Sequence, residues 1–446
     1  MDEGKDHKAK SVFCQALSLS PDFAEAHANL GLLLDRTGSF HKAEYHYRQA
    51  LALSPRLTQA CLNLAALLEK QKRFGESEKL YRRLLSLSPE SPAGWSNLGV
   101  LLAGMKREEE AEQCYRKALG YDACYRKARF NLAYLLLRQG RFEEGWACLE
   151  ARDWYAPLER HLACPRWQGE PLVGKSLLIG FEAGHGDMIQ FCRYVSLVRQ
   201  QGAERIAMLC HPGLKALFSS LPNLDEVIAF DEPFSNDSWD YWTPPLSLPF
   251  LFRTRLESIP AELPYLKADP ERVAHWRNII GHASDALRIG LAWKGNPDFE
   301  NDAERSLPSL ETLAPLGEVE NVFFFSMQKG AGEAEAEDPS QAFSLVNLSP
   351  SIRDFADTAA IVTNLDLVIT VDTAVAHLTG ALGRPCWVLL PDHKTDWRWL
   401  TDRDDSPWYP DIMRLFRQEQ AGQWQATVTS VQQALQTLVG TKKPPK

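Results

Sequence analysis

A repeat of 34 residues in the first third of the chain limits the possible folds more than any other feature of the sequence. Three kinds of residue recur at this spacing: Leu-Gly or Leu-Ala pairs, aromatic residues and prolines. They are Leu30-Gly31, Leu64-Ala65, Leu98-Gly99 and Leu132-Ala133, then Phe13, Tyr47, Tyr81 and Tyr115, and finally Pro21, Pro55 and Pro89. Self-similarity at such a period indicates one structural unit that buries its apolar face only against its neighbours. We therefore expect an α-solenoid of stacked helix–turn–helix units.

The period and its residue types are typical of tetratricopeptide repeats. We place this array at residues 1–153, with a half repeat at 8–20 followed by units at 24–57, 58–91, 92–125 and 126–150. Because the half repeat supplies only the second helix of a unit, we expect either a shortened start or a missing upstream segment.

Asparagine also recurs at the repeat spacing, one residue before each repeated leucine. The four residues are Asn29, Asn63, Asn97 and Asn131. Equivalent positions of a superhelix line up along one surface, so amides on its concave face would form a ladder that bonds an extended peptide backbone. The alternative is that these amides bond within the array. A peptide groove for a protein partner is the functional prediction.

Beyond the array, short apolar runs alternate with helical patterns. After a linker at 154–175, strands are predicted at 176–181, 206–210, 226–230, 287–293, 321–326, 367–371 and 386–390. Such alternation is typical of doubly wound parallel sheets. We expect two Rossmann-like α/β halves, at 176–270 and 271–440, that face a cleft and bind ligands at the carboxyl ends of their strands. Within the first half, residues 231–270 are predicted to be irregular or partly helical.

The clearest of these units begins with the buried strand Leu367–Val371. Asp372 and Thr373 follow as good N-cap residues, and Ala374 opens a helical pattern. Free backbone N–H groups at such a helix start suit a phosphate or diphosphate. The alternative is an ordinary strand–helix–strand crossover with a capping aspartate. His377, one turn into the helix, is either a contact for the phosphate or donor sugar or a packing residue.

A glycine-containing turn follows the first strand of the first half, at Gly184, His185, Gly186 and Asp187. Glycines permit tight backbone geometry and close approach of a ligand. The turn is not a dinucleotide-binding fingerprint, because its third glycine is missing. Asp187 either caps the next helix or acts in the cleft as a general base that takes a proton from an acceptor hydroxyl.

Two further loops at strand ends of the second half carry candidate donor-binding residues. In the first, Lys294 and Asn296 follow a strand, where the lysine is either a point charge for a phosphate or simply solvated. In the second, Ser326, Gln328 and Lys329 suit a base or ribose. A helix N-terminus and a lysine would stabilise a departing nucleoside diphosphate, so neither a metal nor another cofactor is required.

Composition excludes several classes of protein. No apolar run is long enough to span a membrane, and the charged N-terminus has no signal-peptide core. Nine scattered cysteines with no C-x-x-C pair argue against a disulfide framework or zinc site and fit a reducing cytoplasm. The net charge of −9, with its acidic excess after residue 153, argues against a general nucleic-acid binder.

Residues 176–430 resemble the glycosyltransferase domain that follows tetratricopeptide repeats in many bacterial proteins, a two-domain GT-B fold. The matching segments are GHGDMIQFCRYV, LAWKGNP, RSLP, FSMQKG, DFADTAAIV, LDLVITVDTAVAHLTGALGRPCWVLLP, DWRWL and DSPWYP. The last third is similar to heptosyltransferases of glycosyltransferase family 9, and the layout resembles protein O-GlcNAc transferases.

This resemblance implies a nucleotide-sugar donor bound by the second half and an acceptor bound by the first. Asp187 would be the base, with Lys294, Thr373 and Ala374 as diphosphate contacts. One residue departs from the pattern, since relatives usually carry leucine where this chain has His185. A histidine there would alter acceptor binding or add a second titrating group beside Asp187.

Together these features predict a cytoplasmic, metal-independent, inverting glycosyltransferase that acts on a protein or glycan acceptor, with the repeat array recruiting the acceptor or another protein partner. The alternative is a non-catalytic interaction scaffold with a degenerate GT-B domain, which the half repeat and His185 favour.

Overall fold

The structure, a computed structural model, describes residues 3–235, 238–281, 286–299, 301–337 and 344–442, apart from the side chains of residues 3–6 and 442. Within it the chain divides into two compact units, of which the first ends at Leu135 and the second begins at Leu136.

The first unit is the predicted helical repeat array. Its helices, with the one that follows them, are α1 (Glu3–Leu19), α2 (Ala24–Arg36), α3 (Phe40–Leu53), α4 (Thr58–Lys70), α5 (Phe74–Leu87), α6 (Pro92–Gly104), α7 (Glu108–Tyr121), α8 (Arg126–Arg138) and α9 (Phe142–Leu149). Each even-numbered helix from α2 to α6 packs on the helix that follows it, and successive pairs also pack on each other.

Local geometry explains why the period is so strict. Gly38, Lys72, Lys106 and Gly140, spaced 34 residues apart, all have positive φ where the chain turns between the paired helices. Within the pairs, small residues make room for rings: a Cβ added to Gly99 would lie 2.5 Å from the ring of Tyr115.

The second unit includes α9, the last helix of the repeat pattern. Trp146 of α9 is 1% exposed, donates from its indole nitrogen to the carbonyl of Thr254 at 3.0 Å, and meets the rings of Trp397 and Trp408 edge-on. The extent of the repeat array, through residue 153, stays a prediction, but the boundary between the two compact units falls inside α8, before α9. The reason is that α9 buries its apolar face against the α/β part of the chain.

Two parallel sheets form this α/β part. The strands of the first are β1 (Ser176–Ile179), β2 (Arg205–Cys210), β3 (Glu226–Ala229) and β4 (Tyr241–Thr243), in the order β3-β2-β1-β4. The helices that precede the second sheet in the chain are α10 (Ala156–Glu159), α11 (His185–Phe191), α12 (Val195–Gln200), α13 (Lys215–Phe218), α14 (Leu248–Leu251) and α15 (Pro270–Ile280). Strand β4 lies in the segment predicted to be irregular, and it pairs with β1 through Leu178 and Trp242.

The second sheet has six parallel strands. They are β5 (Leu287–Ala292), β6 (Val322–Ser326), β7 (Leu345–Asn347), β8 (Leu367–Val371), β9 (Cys386–Leu390) and β10 (Met413–Arg417), in the order β10-β9-β8-β5-β6-β7. The remaining helices are α16 (Asp302–Arg305), α17 (Phe355–Thr363), α18 (Ala374–Ala381) and α19 (Gln425–Lys442). The order reverses between β5 and β8, and such a switch point is where open α/β sheets bind ligands.

The two sheet regions, both within the second unit, meet through α11 and α18. Arg193, 4% exposed, ties them together: it donates to the carbonyl of Trp408 at 2.9 Å and to the hydroxyl of Tyr265 at 3.0 Å. Its guanidinium also lies over the ring of Tyr409, 4.8 Å from the centroid. The start of each helix is thereby held at a common cleft.

Candidate functional site

The switch point of the second sheet brings the Lys294 loop and the start of α18 side by side. Ala292 pairs with Thr370 in the neighbouring strands β5 and β8, so the segments after both strands leave the same edge of the sheet. Strand β8 is buried throughout, whereas Thr373 and Ala374 are only partly buried. The start of α18 is therefore the open part of an otherwise buried unit.

Thr373 alone caps α18, although the sequence offers two candidates. Its Oγ1 accepts from the N–H of Val375 at 3.3 Å and shares a hydrogen bond with the hydroxyl of Thr370 at 3.2 Å. The N–H of Ala376 donates to the carbonyl of Thr373 at 3.0 Å, so the N–H of Ala374 is the group at this helix end that suits an anion. Contact of Thr373 and Ala374 with a diphosphate stays a prediction.

Asp372 precedes the cap and is 8% exposed. Burial and the negative charge of Asp396 together raise the pKa of its carboxyl to about 6, against the lowering effects of Arg305, of a hydrogen bond with Trp399 and of Arg398. A carboxyl group that gains a proton just below neutral pH thus lies directly beside the start of α18.

His377 is packed into the protein. Its Nδ1 bonds the hydroxyl of Tyr409 at 2.9 Å, and its ring stacks on Trp399 with centroids 5.3 Å apart. Burial, followed by the positive charge of Arg398, lowers the pKa of His377 well below its usual range. The imidazole is therefore neutral, and these contacts favour the packing interpretation of this residue; a contact with the donor stays a prediction.

Gly186 brings the two helix starts into direct contact. A Cβ added there would lie 2.9 Å from Cδ2 of His377 and 3.4 Å from Cα of Ala374. The glycine is needed because α18 occupies the space that any side chain would take. The predicted turn is in fact the first turn of α11, which begins at His185.

Asp187 both caps its helix and faces the cleft, so the two interpretations of this residue are not exclusive. Its Oδ2 accepts from the N–H of Gly184 at 2.9 Å, and its Oδ1 forms an ion pair with Arg398 of the other sheet region. The side chain of Asp187 is 21% exposed and that of Arg398 only 7%. The predicted base therefore has a cation on one oxygen and a backbone N–H on the other.

His185 packs against aromatic rings from both sheet regions. Its ring stacks between His211, 4.3 Å away, and Phe355, 5.1 Å away, at the N-terminus of α17. Burial and the neighbouring His211 lower the pKa of His185 to about 4. The residue that departs from the family pattern is thus a neutral ring that joins the two sheet regions.

Lys294 lies in the predicted loop after β5 and already has a partner. Its Nζ forms an ion pair with Glu335, whose other oxygen accepts from the indole of Trp293 at 3.0 Å and from the N–H of Leu310 at 2.7 Å. A ligand phosphate at Lys294 would compete with this carboxylate. Asn296, further along the loop, is exposed and accepts from the N–H of Asp298 at 3.0 Å.

The next loop carries the residues predicted to bind a base or ribose. Gln328 is 2% exposed, and its Oε1 accepts from the N–H groups of Trp293 and Lys294 at 2.8 and 2.9 Å. Ser326 is fully buried and bonds the hydroxyl of Ser349 at 3.1 Å. Gln328 thereby holds the Lys294 loop in place, and both side chains are satisfied internally, as buried polar groups usually are; their contact with a base or ribose stays a prediction. Lys329 is half exposed and pairs with Glu333, and its contact with a base or ribose stays a prediction.

Two cations of the cleft were not assigned a definite role from the sequence. Trp397, Arg398 and Trp399, just after the last predicted strand, were expected either to shape the donor site or to hold the domains together, and Arg305 was noted only as part of a matching segment. In the structure Arg305 bonds Asp302 at 3.2 Å and acts on Asp372 through its charge. The position of Arg398 on a turn after a strand was the available signal for a site residue. Its partners could not be read from the sequence, because Asp187 and Gln190 lie in a distant part of the chain.

The four repeated asparagines occupy equivalent positions on α2, α4, α6 and α8. Asn29 is exposed and the other three are partly exposed, while the leucines that follow them are buried. Asn63 accepts from the side chain of Gln59 at 2.9 Å within its own helix. The amides are therefore reachable from solvent, and their contact with a peptide stays a prediction.

Two negative findings concern the described residues only. Among them, no group of three or more histidines, cysteines, aspartates and glutamates is placed to hold a metal ion. The helices of the same residues include none that is long and apolar enough to cross a lipid bilayer.

Comparison with known families agrees with this layout. Residues 2–109 match the middle TPR-like domain of cilia and flagella-associated protein 70, and residues 109–155 match a tetratricopeptide repeat family. Residues 312–399 match glycosyltransferase family 9, the heptosyltransferases. The chain therefore combines tetratricopeptide-type repeats with a region similar to heptosyltransferases, as predicted from the sequence.

Among curated proteins, the chain is 28% identical over 320 residues to Protein FlbA of Caulobacter vibrioides, which covers 66% of this chain. The match covers 52% of FlbA, so the chain spans about half the length of this relative. Among solved structures, PilF of Pseudomonas aeruginosa is 25% identical over 33% of this chain and 69% of its own, with a TM-score of 0.32. MamA is 14% identical over 36% of this chain and 93% of its own, with a TM-score of 0.31.

Proposed function

We propose that this chain is a GT-B glycosyltransferase that transfers a sugar from a nucleotide-sugar donor to a protein or glycan acceptor, with inversion and without a metal ion. The match of residues 312–399 to glycosyltransferase family 9 supports the reaction class, because it covers the switch-point strand β8 and the start of α18. The observation that carries the proposal is the meeting of three features at one cleft: that helix start, Lys294, and Asp187 on the opposite side.

The transfer step follows from these groups. Asp187 takes the proton of an acceptor hydroxyl, whose oxygen then forms a bond to the anomeric carbon of the sugar. The bond from that carbon to the diphosphate breaks, and its electron pair leaves with the nucleoside diphosphate. Lys294 and the N–H groups at the start of α18 stabilise the charge that develops on this leaving group. Attack from the side opposite the leaving group inverts the anomeric centre.

The repeat array supplies the second part of the proposal. We expect it to recruit the acceptor or another protein partner through Asn29, Asn63, Asn97 and Asn131, whose amides would bond an extended backbone. Alanine at Asn63 and Asn97 should weaken binding of a partner that co-purifies with the chain, while the melting temperature changes little. Undiminished binding would remove this groove from the proposal. A cytoplasmic location belongs to the same proposal.

The decisive experiment is a thermal-melt screen of the purified chain with UDP, GDP and ADP and with the corresponding sugar nucleotides. One of the diphosphates should raise the melting temperature, and Lys294→Ala should abolish that rise. Lys175→Ala is the matched control, because Lys175 is a half-exposed lysine that pairs with Asp240 away from the cleft. Stabilisation that survives in Lys294→Ala would eliminate this loop as the diphosphate site.

Transfer itself is tested at Asp187. With the donor identified by the screen, Asp187→Asn should abolish transfer to the acceptor and leave nucleotide binding in place. If the variant still transfers sugar, Asp187 is not the base. If no nucleotide stabilises the wild-type chain, the alternative of a non-catalytic scaffold is favoured, to which the internally paired Lys294 and Asp187 would then contribute only stability.

A further inference from the structure

Arg398 is the cation that joins the two sides of the cleft. It lies in a short 3-10 turn at Trp397–Trp399, after β9, and its side chain is 7% exposed. From there it reaches across to α11, where Nη2 pairs with Asp187 and Nε donates to Oε1 of Gln190. A buried guanidinium with partners on both sides is a strong link, because its donors lie in a rigid fork.

Its own side of the cleft holds Arg398 in a defined orientation. Nη1 donates to both carboxylate oxygens of Asp396 at 3.0 Å, and the guanidinium lies over the ring of Trp397, 4.3 Å from its centroid. Asp396 also accepts from the backbone N–H of Arg398 at 2.9 Å. Loss of the Asp187 contact would therefore leave the guanidinium anchored, with its Nη2 directed into the cleft.

Arg398 is close to the proposed diphosphate site. Its positive charge lowers the pKa of both Asp372 and His377, which flank the start of α18. The helix that carries Asp187 touches the same place, since Gly186 abuts Ala374. A diphosphate bound at the start of α18 would lie beside this guanidinium, and a charged N–H donor bonds a phosphate oxygen more strongly than a neutral one.

Because of the charges around Arg398, its Nη2 can bind either Asp187 or the diphosphate, but not both. One guanidinium already serves two carboxylates, Asp187 and Asp396, with the Asp372 carboxyl nearby. A diphosphate adds two or more negative charges to this buried region, and like charges in a poorly solvated site repel strongly. The exchange that relieves this repulsion is the transfer of Nη2 from Asp187 to the diphosphate.

The cap on α11 decides what happens to the released carboxylate. Oδ2 of Asp187 accepts from the N–H of Gly184, a contact that does not depend on Arg398. When the guanidinium turns to the diphosphate, Oδ2 stays on the backbone and Oδ1 loses its partner. Oδ1 is then the basic atom that takes the proton of the acceptor hydroxyl. The acceptor oxygen forms a bond to the anomeric carbon, while the bond from that carbon to the diphosphate breaks and its electron pair leaves with the nucleoside diphosphate.

We propose that Arg398 is a donor-binding residue which, in the ligand-free protein, is held by Asp187 and which exchanges that carboxylate for the donor diphosphate, thereby freeing Oδ1 of the base. This inference rests on the proposed function. It makes donor binding a condition for an active base, so the acceptor is deprotonated only when a sugar is in place.

The test is the affinity of four chains for the nucleoside diphosphate that the screen identifies: wild type, Arg398→Gln, Asp187→Asn and the double variant. Arg398→Gln should bind about tenfold more weakly, as expected for loss of one charge-assisted phosphate contact. Asp187→Asn should bind about threefold to tenfold more tightly, because the competitor of the diphosphate is gone. The double variant should bind like Arg398→Gln.

The double variant separates exchange from simple repulsion. If Asp187→Asn tightens binding equally in the presence and absence of Arg398, the carboxylate only repels the diphosphate, and the inference is wrong. A comparator is Glu335→Gln, which frees Lys294 and should tighten binding by the same factor with or without Arg398. Unchanged affinity in Arg398→Gln also overturns the inference while the proposed function stands, whereas no nucleotide binding by the wild type overturns both.

Arg398→Lys keeps the proposal testable if the glutamine variant does not fold. Lysine retains the charge but lacks the fork that spans two partners, so this variant should recover part of the affinity and lose part of the response to Asp187→Asn. If Arg398 were purely structural, its variants would have a lower melting temperature without ligand. Asp187→Asn would then change the affinity equally with and without Arg398, and that result would overturn the inference.

Discussion

Gly186→Ala tests whether the starts of α11 and α18 touch as closely as the structure shows. The new Cβ would lie 2.9 Å from Cδ2 of His377, well inside an ordinary carbon–carbon contact. The imidazole cannot move aside, because Tyr409 bonds its Nδ1 at 2.9 Å and Trp399 stacks on its face. The two sheet regions must therefore separate by several tenths of an ångström.

Overpacking of this kind costs about 1–3 kcal/mol, from which the lower entropy of an unfolded alanine subtracts about 0.4–1 kcal/mol. We therefore expect Gly186→Ala to lower the free energy of unfolding by about 1–2 kcal/mol. Urea denaturation followed by tryptophan fluorescence measures this, since buried tryptophans cluster in the same unit. Weaker binding of the nucleoside diphosphate should accompany the loss, because the start of α18 is displaced.

Gly213→Ala is the matched control. It also places a Cβ against a residue of the other sheet region, but at 3.8 Å from the Phe355 ring, which is ordinary contact. Its free energy of unfolding should therefore stay within about 0.5 kcal/mol of the wild type. Equal stabilities of Gly186→Ala, Gly213→Ala and the wild type would refute the close contact between the two helix starts.

Two further perturbations test the buried groups around the cleft. The pKa of His185 is about 4 in the folded protein, below the ~6.5 of an unfolded histidine. As the pH drops, the unfolded chain therefore takes up the proton first, and the free energy of unfolding falls between about pH 6.5 and pH 4. Between pH 7 and pH 4.5 the wild type should lose about 2 kcal/mol of unfolding free energy that His185→Leu does not lose, and parallel urea titrations of the two would contradict this. The side chains of Arg152 and Glu182 form an ion pair with no exposed surface, so Arg152→Met, which strands the carboxylate, should cost about 3–5 kcal/mol in the same assay. Adding Glu182→Gln should restore part of that loss, and a single variant as stable as the wild type would contradict the buried pair.

Much of the architecture was predictable because it depends on short-range patterns. The strand Leu367–Val371 was found at its observed bounds, since a run of β-branched residues followed by a capping residue is a local signal. The strands β4, β7 and β10 were missed. β4 and β7 are three residues long, and each becomes a strand only by pairing with another strand, which for β4 is the distant β1. Local sequence carries little information about such pairing.

The candidate site divides in the same way. Asp187 and Lys294 could be named from their positions after strands, because parallel strands place their carboxyl ends at one edge. The partners Arg398 and Glu335 could not, since they lie 211 and 41 residues away along the chain. Gln328 was assigned to ligand binding because its burial is invisible in the sequence.

The sequence by itself determined the repeat array, the two parallel α/β regions and the location of a helix start suited to a phosphate, because period and capping act over a few residues. Only the tertiary structure decided that Asp187 faces Arg398, that His185 stacks on two rings, and that α9 packs against the α/β part of the chain. Each of these depends on which distant side chain fills a given space or balances a given charge, and that is settled by packing of the whole unit.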